Sequence, residues 1–413
     1  MNKVMVVIKI VLCVMLYAFL SNAQMKNSVY SMFGIGELVN NEVGVNKSLG
    51  GTGIAFQSGR SINYLNPASY IGLLPNSIII ELGVYGISGR SQDRHFSITG
   101  RDINLSYFSA NLYIADGWGL SAGIVPFSHV DYKIITEDKI NGSLLSYEKE
   151  FTGRGGLSRL YLGNSFKVYK GLNAGLNISY IVGSITNTEI ALQSDDFTGY
   201  ELKSEYSVSD IHLDYGLQYI IDINDWSYIV GLTYGANNNL NKISSLVITY
   251  NGTTDSLKQT EKSDIIIPQK LGLGVSVKHG DNFRVGFDYE WNEWSRLKSL
   301  NGSLKIRNSN KFSFGIEYAP AENKQDEALL KSFLYRLGVN YKRTYLEIAK
   351  TRINSYGINF GVGIPFQKLS TFNICVEYGE EGTFKKGLIK NSYWMFYLNV
   401  SLQELWVKVS EEE

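Results

Sequence analysis

Cysteine, proline and histidine are scarce in this chain of 413 residues. One of its two cysteines, Cys13, lies near the start and the other is Cys375, so a disulfide framework and a cysteine-based metal site are both excluded. The four histidines lack the spacing of metal ligands, and we expect no metal and no cofactor. Lys and Arg together number 39, as do Asp and Glu, and this balance argues against a nucleic-acid partner.

The chain also lacks any apolar run long enough for a comfortable transmembrane helix. The run of residues 10–20 follows Lys3 and Lys9 and precedes the small residues 21–23, a pattern typical of a secretory signal peptide. We expect residues 1–23 to be this signal, with cleavage after Ala23. Any membrane spanning by the mature chain must then be done by strands.

Aromatic residues and glycine are abundant, with 28 Tyr, 19 Phe and 41 Gly against 6 Pro. This composition suits strands that have one apolar face and one polar face. From Ser77 onward, apolar residues alternate with small or polar ones at a period of two. The clearest stretches are residues 226–234, 283–291, 333–341 and 394–402.

The alternation divides into about fourteen strands. They begin near Ile78, Ile103, Trp118, Leu157, Leu172, Ile211, Trp226, Leu271, Phe283, Phe312, Phe333, Ile353, Phe372 and Tyr393. Most connections after even-numbered strands are tight turns, whereas the opposite connections are mostly long and polar, as in residues 136–156, 187–203 and 237–263. Outer-membrane barrels sort their loops in this way. The sequence therefore predicts an all-β, 14-stranded antiparallel transmembrane β-barrel over residues 77–406 in the bacterial outer membrane, followed by a tail of residues 407–413.

Residues 24–76 lack this alternation and include the glycine-rich stretch 49–56, followed by an Asn-Pro-Ala corner. A loose tail is the alternative, but the density of apolar residues favours a folded N-terminal hatch, or plug, in the barrel lumen. A phosphate-binding loop is rejected because no strand precedes it and no Lys-Ser/Thr pair follows it. The candidate hatch motif comprises Gly50, Gly51, Gly53, Asn66, Pro67 and Ala68.

The third predicted strand contains Gly123 and, three residues later, Pro126. Proline removes a donor from the ladder of backbone hydrogen bonds and is expected to kink or bulge the strand. The alternative is that the strand ends at Pro126, which would then open the following loop.

The predicted polar strand faces carry many charged residues, which we expect to fill the lumen as paired charges and water. Alternatively, some of them anchor the hatch or meet a ligand carboxylate. His212 and Asp214 share one strand face, but no nucleophile elbow accompanies them, and we expect no enzymatic activity. The charged residues of this face are Arg159, Lys167, His212, Asp214, Arg284, Asp288, Glu290, Glu317, Arg336 and Glu377.

The hatch motif and several other segments resemble the FadL/TodX family of outer-membrane transporters of hydrophobic compounds, most closely its Bacteroidetes-type branch. The matching segments are residues 30–38, 50–55, 66–68, 356–365 and 387–390. This resemblance implies a barrel of fourteen strands with an N-terminal hatch. It also implies passive uptake of a long-chain fatty acid or an aromatic compound, with rearrangement of the hatch and lateral exit through the wall at a kinked third strand.

The expected partners are a hydrophobic small molecule and outer-membrane lipid. A second function stays open at this stage, because barrels of this family also serve as subunits of envelope secretion or outer-membrane assembly complexes. Such a subunit binds a protein partner and passes no solute. An open hydrophilic porin is disfavoured, because the segment 24–76 has enough mass to occlude the lumen.

Overall fold

The computed structural model describes residues 28–39, 42–139, 146–191, 199–251, 253–296, 304–320, 329–366 and 369–406. The predicted signal peptide and the predicted C-terminal tail lie outside these described residues. Within the described ranges, no helix combines the length and the apolar character needed to cross a membrane.

The described chain consists almost entirely of strands that form one antiparallel sheet. Their bounds are β1 Glu37–Leu38, β2 Ser77–Gln92, β3 Ser97–Ala115, β4 Trp118–Lys139, β5 Ser146–Tyr169, β6 Leu172–Ala191, β7 Tyr200–Ile223, β8 Trp226–Gly235, β9 Asn238–Tyr250, β10 Thr253–Ile267, β11 Lys270–His279, β12 Phe283–Asn292, β13 Leu304–Ile306, β14 Ser309–Tyr318, β15 Leu334–Ile348, β16 Thr351–Pro365, β17 Thr371–Gly382 and β18 Lys390–Leu405. A short α-helix, α1 (Val45–Ser48), and five 3₁₀ helices complete the described elements: Val29–Met32, Pro67–Gly72, Trp294–Arg296, Leu329–Ser332 and Lys385–Gly387.

Some of these segments are parts of one barrel strand. β8 and β9 both pair with β7 and are two parts of one barrel strand. β10 pairs with β9 and β11 pairs with β8, so β10 and β11 also form one barrel strand. The same holds for β13 and β14, which both pair with β15. Pairing of β18 with β2 closes the ring. The predicted fold class, an all-β antiparallel barrel of 14 strands with an N-terminal hatch, is confirmed.

Several strands are longer than predicted on the side opposite the tight turns. β5 begins at Ser146 and β7 at Tyr200, whereas the sequence placed these starts near Leu157 and Ile211. The stretch 237–263, expected to be a long loop, is mostly the hairpin of β9 and β10. Beyond the lipid both faces of a strand meet water, so the apolar alternation that marked the strands is absent although the backbone ladder continues.

The two faces of the wall differ as the alternation predicts. On β8, Trp226, Val230 and Tyr234 are exposed on the outside, while Ile229 is buried in the lumen. The predicted luminal charged residues are also buried or half-buried, with one exception. The exception is Lys167, which lies near the end of β5 and is exposed. It is paired with the buried Asn173 and lies two residues from the buried Ser165, so it keeps the phase of the luminal face up to the irregularity between Lys167 and Tyr169.

The hatch lies in the lumen and packs against glycines of the wall. A Cβ atom added at Gly338 would lie 2.0 Å from the backbone nitrogen of Gly50, and one added at Gly231 would lie 2.2 Å from the carbonyl oxygen of Ile54. Backbone therefore meets backbone at these points, with no space for a side chain. We call the wall glycines that contact the hatch the glycine belt. Its members are Gly119, Gly163, Gly175, Gly216, Gly231, Gly272, Gly274, Gly286, Gly315, Gly338 and Gly361.

Replacing one glycine of this belt is expected to disturb the hatch. Gly338→Ala adds a methyl group where none fits, and overpacking of this kind costs about 1–3 kcal/mol. We expect a lower thermal unfolding midpoint and faster cleavage of the hatch by trypsin in detergent. The matched control is Gly86→Ala, whose added Cβ meets its nearest atoms at 3.9 Å. Equal trypsin resistance of the two variants would contradict the close packing.

Candidate functional site

The glycine-rich hatch loop is bonded to a buried carboxylate of the wall. The backbone N–H groups of Gly53 and Ile54 donate to Asp288 Oδ2 over 2.6 and 2.9 Å. Asp288 lies on β12 and is 1% exposed. A buried N–H group needs an acceptor, which a helix or strand would normally provide. Here the carboxylate supplies it to both N–H groups.

The carbonyl groups of the same loop are bonded to wall side chains too. Gln218 Nε2 donates to the carbonyl oxygens of Ile54 and Phe56 over 2.9 and 3.1 Å. Ser276 Oγ donates to the carbonyl oxygen of Ala55 over 2.7 Å. The loop is thus held by side chains from three different strands, which fixes its position in the lumen.

The Asn-Pro-Ala corner joins the hatch to itself and to the wall. Asn66 Oδ1 accepts from the N–H of Ala68 over 3.0 Å and caps the 3₁₀ helix that begins at Pro67. Asn66 Nδ2 donates to the carbonyl oxygen of Ile54 over 2.7 Å and to that of Leu217, on β7, over 3.0 Å. The corner and the glycine-rich loop therefore form one unit.

Glycine is favoured at each of the three glycine positions of the motif for its own physical reason. Gly50 and Gly51 have φ values of 65° and 83°, which side chains rarely adopt. A Cβ at Gly51 would also lie 2.0 Å from Glu42 Oε1, and one at Gly53 would lie 1.9 Å from Asn46 Nδ2.

Glu42 is the centre of a buried ion cluster between hatch and wall. Its carboxylate pairs with Lys47 of α1 at 3.2 Å and is hydrogen bonded to Lys311 of β14. Lys311 in turn lies 3.8 Å from Glu290. Burial alone would raise the pKa of Glu42, but Lys311 and Lys47 more than offset this and lower the pKa from 4.5 to about 2. The hatch is thus tied to β14 by charges as well as by backbone contacts.

Other predicted luminal charges are paired within the wall. Asp214 lies 3.5 Å from Arg159 and 3.4 Å from His212. Arg336 Nε donates to Glu317 over 2.7 Å. The sequence did not predict the ion cluster of Glu42, Lys47 and Lys311, because their positions along the chain give no sign that they lie close together. The glycine belt was visible as small residues on the polar face of successive strands, and this signal points to a close neighbour in the lumen.

The wall is open between β3 and β4 on the side away from their tight turn. The two strands pair from Ala115 and Trp118 up to Phe108 and Ile124, and there the pairing stops. β4 continues to Lys139, with a register shift next to Pro126. The alternative that this strand ends at Pro126 is therefore wrong.

Gly123 lies just before the opening. A Cβ there would be 2.3 Å from the carbonyl oxygen of Phe108, so glycine allows the last part of the ladder to close. The opening thus begins next to the two residues singled out on the third strand, Gly123 and Pro126.

The N-terminal lead-in, residues 28–39, occupies the edge of β4 that β3 leaves unpaired. β1 pairs with His129 and Ser128, and the N–H of Val39 donates to the carbonyl oxygen of Phe127 over 3.0 Å. Tyr30, in the same lead-in, is 3% exposed and packs in an apolar cluster that fills this part of the lumen. The chain's own beginning therefore covers the opening from inside.

A cavity of about 140 Å³ lies behind the opening. Its lining includes Asp102 of β3, Pro126 of β4, Glu37 of β1 and Tyr397 of β18. A second cavity of about 80 Å³ lies beside Arg159. Drug-sized ligands occupy pockets of roughly 300–1,000 Å³, so a larger ligand needs the hatch or the lead-in to move.

Removing the central carboxylate is expected to loosen the hatch. Glu42→Gln leaves Lys47 and Lys311 buried without their main anionic partner, and breaking a buried ion pair costs about 3–5 kcal/mol. The stabilisation by Glu42 is fully present above pH 4.5 and is lost as the pH falls through about 2, since its folded-state pKa is lowered.

Thermal unfolding in detergent between pH 7 and pH 3 measures this effect. We expect the difference between wild type and Glu42→Gln to shrink as the pH falls below 4.5. The exposed Glu404→Gln is the matched control and should match wild type throughout. A Glu42→Gln midpoint equal to that of the control at pH 7 would refute the anchoring role.

Solved structures with the same fold are outer-membrane channels. The CymD monoaromatic hydrocarbon channel is 16% identical, with 88% of this chain and 97% of that chain covered and a TM-score of 0.60. The toluene transporter TbuX of Ralstonia pickettii is 16% identical, with 89% and 99% covered and a TM-score of 0.60. The toluene transporter TodX of P. putida is 16% identical, with 89% and 99% covered and a TM-score of 0.61. The resemblance to FadL/TodX proteins is confirmed in the fold.

A search of the curated proteins found no match. A sequence profile of the family described as BamG matches residues 2–410, which is nearly the whole chain. The chain therefore belongs to the BamG family and has the hatch-filled barrel fold that CymD, TbuX and TodX share.

Proposed function

We propose that this barrel, in the bacterial outer membrane, passes hydrophobic small molecules from the outside to the lipid through the opening between β3 and β4. The carrying observation is the loss of pairing beyond Phe108 and Ile124, with a cavity directly behind it. An apolar molecule that leaves sideways avoids the polar lumen and enters hydrocarbon, where its transfer is favourable. No step of this passage needs a catalyst.

We assign the moving obstruction to the lead-in, residues 28–39. Its strand pairing with β4 has only two residues, and further hydrogen bonds join it to wall residues, each contributing about 0.5–1.5 kcal/mol. These wall residues are Phe127, Asp131, Tyr206, Tyr345 and Ile389. The larger cost is withdrawal of buried side chains such as Tyr30 and Ile35 from the apolar cluster, about 1.5–3 kcal/mol each. An apolar ligand that takes their place in the cluster offsets this cost.

The rest of the hatch is the fixed part in this proposal. The glycine-rich loop and the Asn-Pro-Ala corner are bonded to Asp288, Gln218, Ser276 and the backbone of Leu217. We place the hatch boundaries at residues 24 and 76, and Gly123 and Pro126 at the exit.

The kind of ligand is inferred from chemistry and from the fold. The cluster facing the lead-in includes Phe127, Trp294 and Tyr345, which suits aromatic or long aliphatic molecules. Proteins described as a monoaromatic hydrocarbon channel and as toluene transporters have the same fold, which supports this class of ligand. A long-chain fatty acid is the other member of the class.

Locking the lead-in onto β4 is expected to stop transport reversibly. Glu37 and His129 are directly opposite in an antiparallel pair, and such residues lie about 4.5–5.5 Å apart at Cα, within disulfide range. Glu37→Cys/His129→Cys should lose uptake of labelled toluene or oleate when oxidised and regain it on reduction. Cys375 is buried and does not compete for the bridge.

The single variant Glu37→Cys is the matched control, and barrel abundance in the membrane is measured for both. Uptake by the oxidised double variant equal to that of the control would refute movement of the lead-in.

A second candidate function is a closed barrel subunit of an envelope secretion or outer-membrane assembly complex. The observation that favours it is the anchoring of the hatch at Glu42 and along the glycine belt, which leaves a cavity of about 140 Å³ behind the opening. The chain's family, BamG, also bears a different name from the channels that share its fold.

Native mass spectrometry of the protein extracted from its own membrane separates the two functions. A bound apolar molecule of a few hundred daltons is expected for the channel. A polypeptide held at fixed stoichiometry, with no small molecule, is expected for the subunit and would contradict the channel.

A further inference from the structure

We propose that the open edge of β3, from Ser97 to Tyr107, docks one extended strand of a second membrane polypeptide. This interaction goes beyond the proposed transport and does not depend on it; while the strand is docked, it closes the lateral exit. The strand would lie in the opening between β3 and β4 and extend the barrel sheet by strand addition.

The first argument is the state of the β3 backbone. β3 pairs with β2 along Ser97–Tyr107, but within the described ranges no strand pairs with its other edge over these residues. The N–H of Ile103 donates to the side chain of Asp102 of its own strand, over 2.9 Å. A backbone donor that bonds to its neighbour's carboxylate indicates that it faces away from β2.

Backbone groups of a strand alternate between its two edges. Thr99, Arg101 and Leu105 are spaced by two from Ile103 and therefore present their N–H and C=O groups to the open edge. Near Ile103 and Leu105 this row borders lipid, where unpaired backbone groups are costly, which is why membrane barrels close their ladders. Another polypeptide strand satisfies such a row, whereas an acyl chain has no hydrogen-bonding groups along its length.

The second argument is that the other lip of the opening already uses this chemistry. The edge of β4 accepts β1, a segment outside the barrel sequence order, by antiparallel pairing at His129 and Ser128. That pairing covers only two positions, whereas the edge of β3 extends over eleven residues, Ser97 to Tyr107. Strand addition on β3 would be the longer counterpart of an interaction that the molecule already makes.

The shape of the opening selects a single strand. β4 continues from Val125 to Lys139 opposite the open edge of β3. A second barrel placed edge to edge with β3 would therefore clash with β4. One strand, about 5 Å wide in the plane of the sheet, is the thinnest element that satisfies backbone groups.

The two faces of the opening specify the side chains of the partner strand. The outer side carries the apolar side chain of Ile103 of β3, which is 51% exposed. The inner side carries the buried carboxylate of Asp102 of β3, which lines the cavity behind the opening. A matching strand therefore alternates apolar residues facing outward with inward residues that include Lys or Arg.

Site-specific photocrosslinking in native membranes tests this proposal. A benzophenone amino acid replaces the exposed Thr99 in the full-length chain, and adducts are analysed by mass spectrometry. Two further variants carry the same probe. Arg101→Pro removes one edge-facing N–H group, which edge strands tolerate, while Arg101→Ala keeps it and removes only the side chain.

The expected result is an adduct with one other polypeptide, whose crosslinked residues are spaced by two. Its yield should fall at least tenfold in Arg101→Pro and less than twofold in Arg101→Ala, at equal barrel abundance. Should Arg101→Pro fail to assemble, Thr99→Pro with the probe at Ile103 repeats the comparison.

Three outcomes would overturn the proposal: adducts with lipid only, an adduct with a second copy of this chain, or equal loss of yield in the proline and alanine variants. The probe at Ile358, an outward residue of β16 with strands on both sides, is the control and should give no such polypeptide adduct. Transport is not a readout here, so failure of the channel proposal leaves this result unaffected.

Discussion

Backbone hydrogen bonding in the absence of water is the constraint on which this structure depends. A chain that crosses hydrocarbon without helices must close its ladder of strands, and β18 meets β2 to do so. The functional features are found where that ladder is interrupted, between β3 and β4 beyond Ile124. There the chain's own lead-in covers one lip and leaves the other bare, so an opening in the wall and an edge for a partner arise from the same defect.

The hatch meets the same constraint by different means. It has almost no regular structure of its own, and its backbone groups are bonded to side chains such as Asp288, Gln218 and Ser276. Glycines of the wall bring the two backbones together, and the Glu42 cluster adds buried charges. The glycine-rich loop is thus held mainly by polar contacts, whereas the lead-in also packs its side chains in an apolar cluster.

The sequence predicted the barrel because lipid imposes a period of two on every spanning strand. Starts such as Trp118, Leu172, Trp226 and Phe283 agree with the structure for this reason. The extensions of β5 and β7 were missed because strands in water need no apolar face. Contacts of the hatch join residues far apart in the chain, and spacing alone does not reveal them.

That separation has a consequence for biogenesis. Gly53 is bonded to Asp288, which follows it by 235 residues, so the hatch gains its partners only after most of the wall has been made. Closing so long a stretch of chain is slow relative to local pairing. The hatch is thus among the last parts of the molecule to settle, and its apolar surface needs protection until a wall exists to receive it.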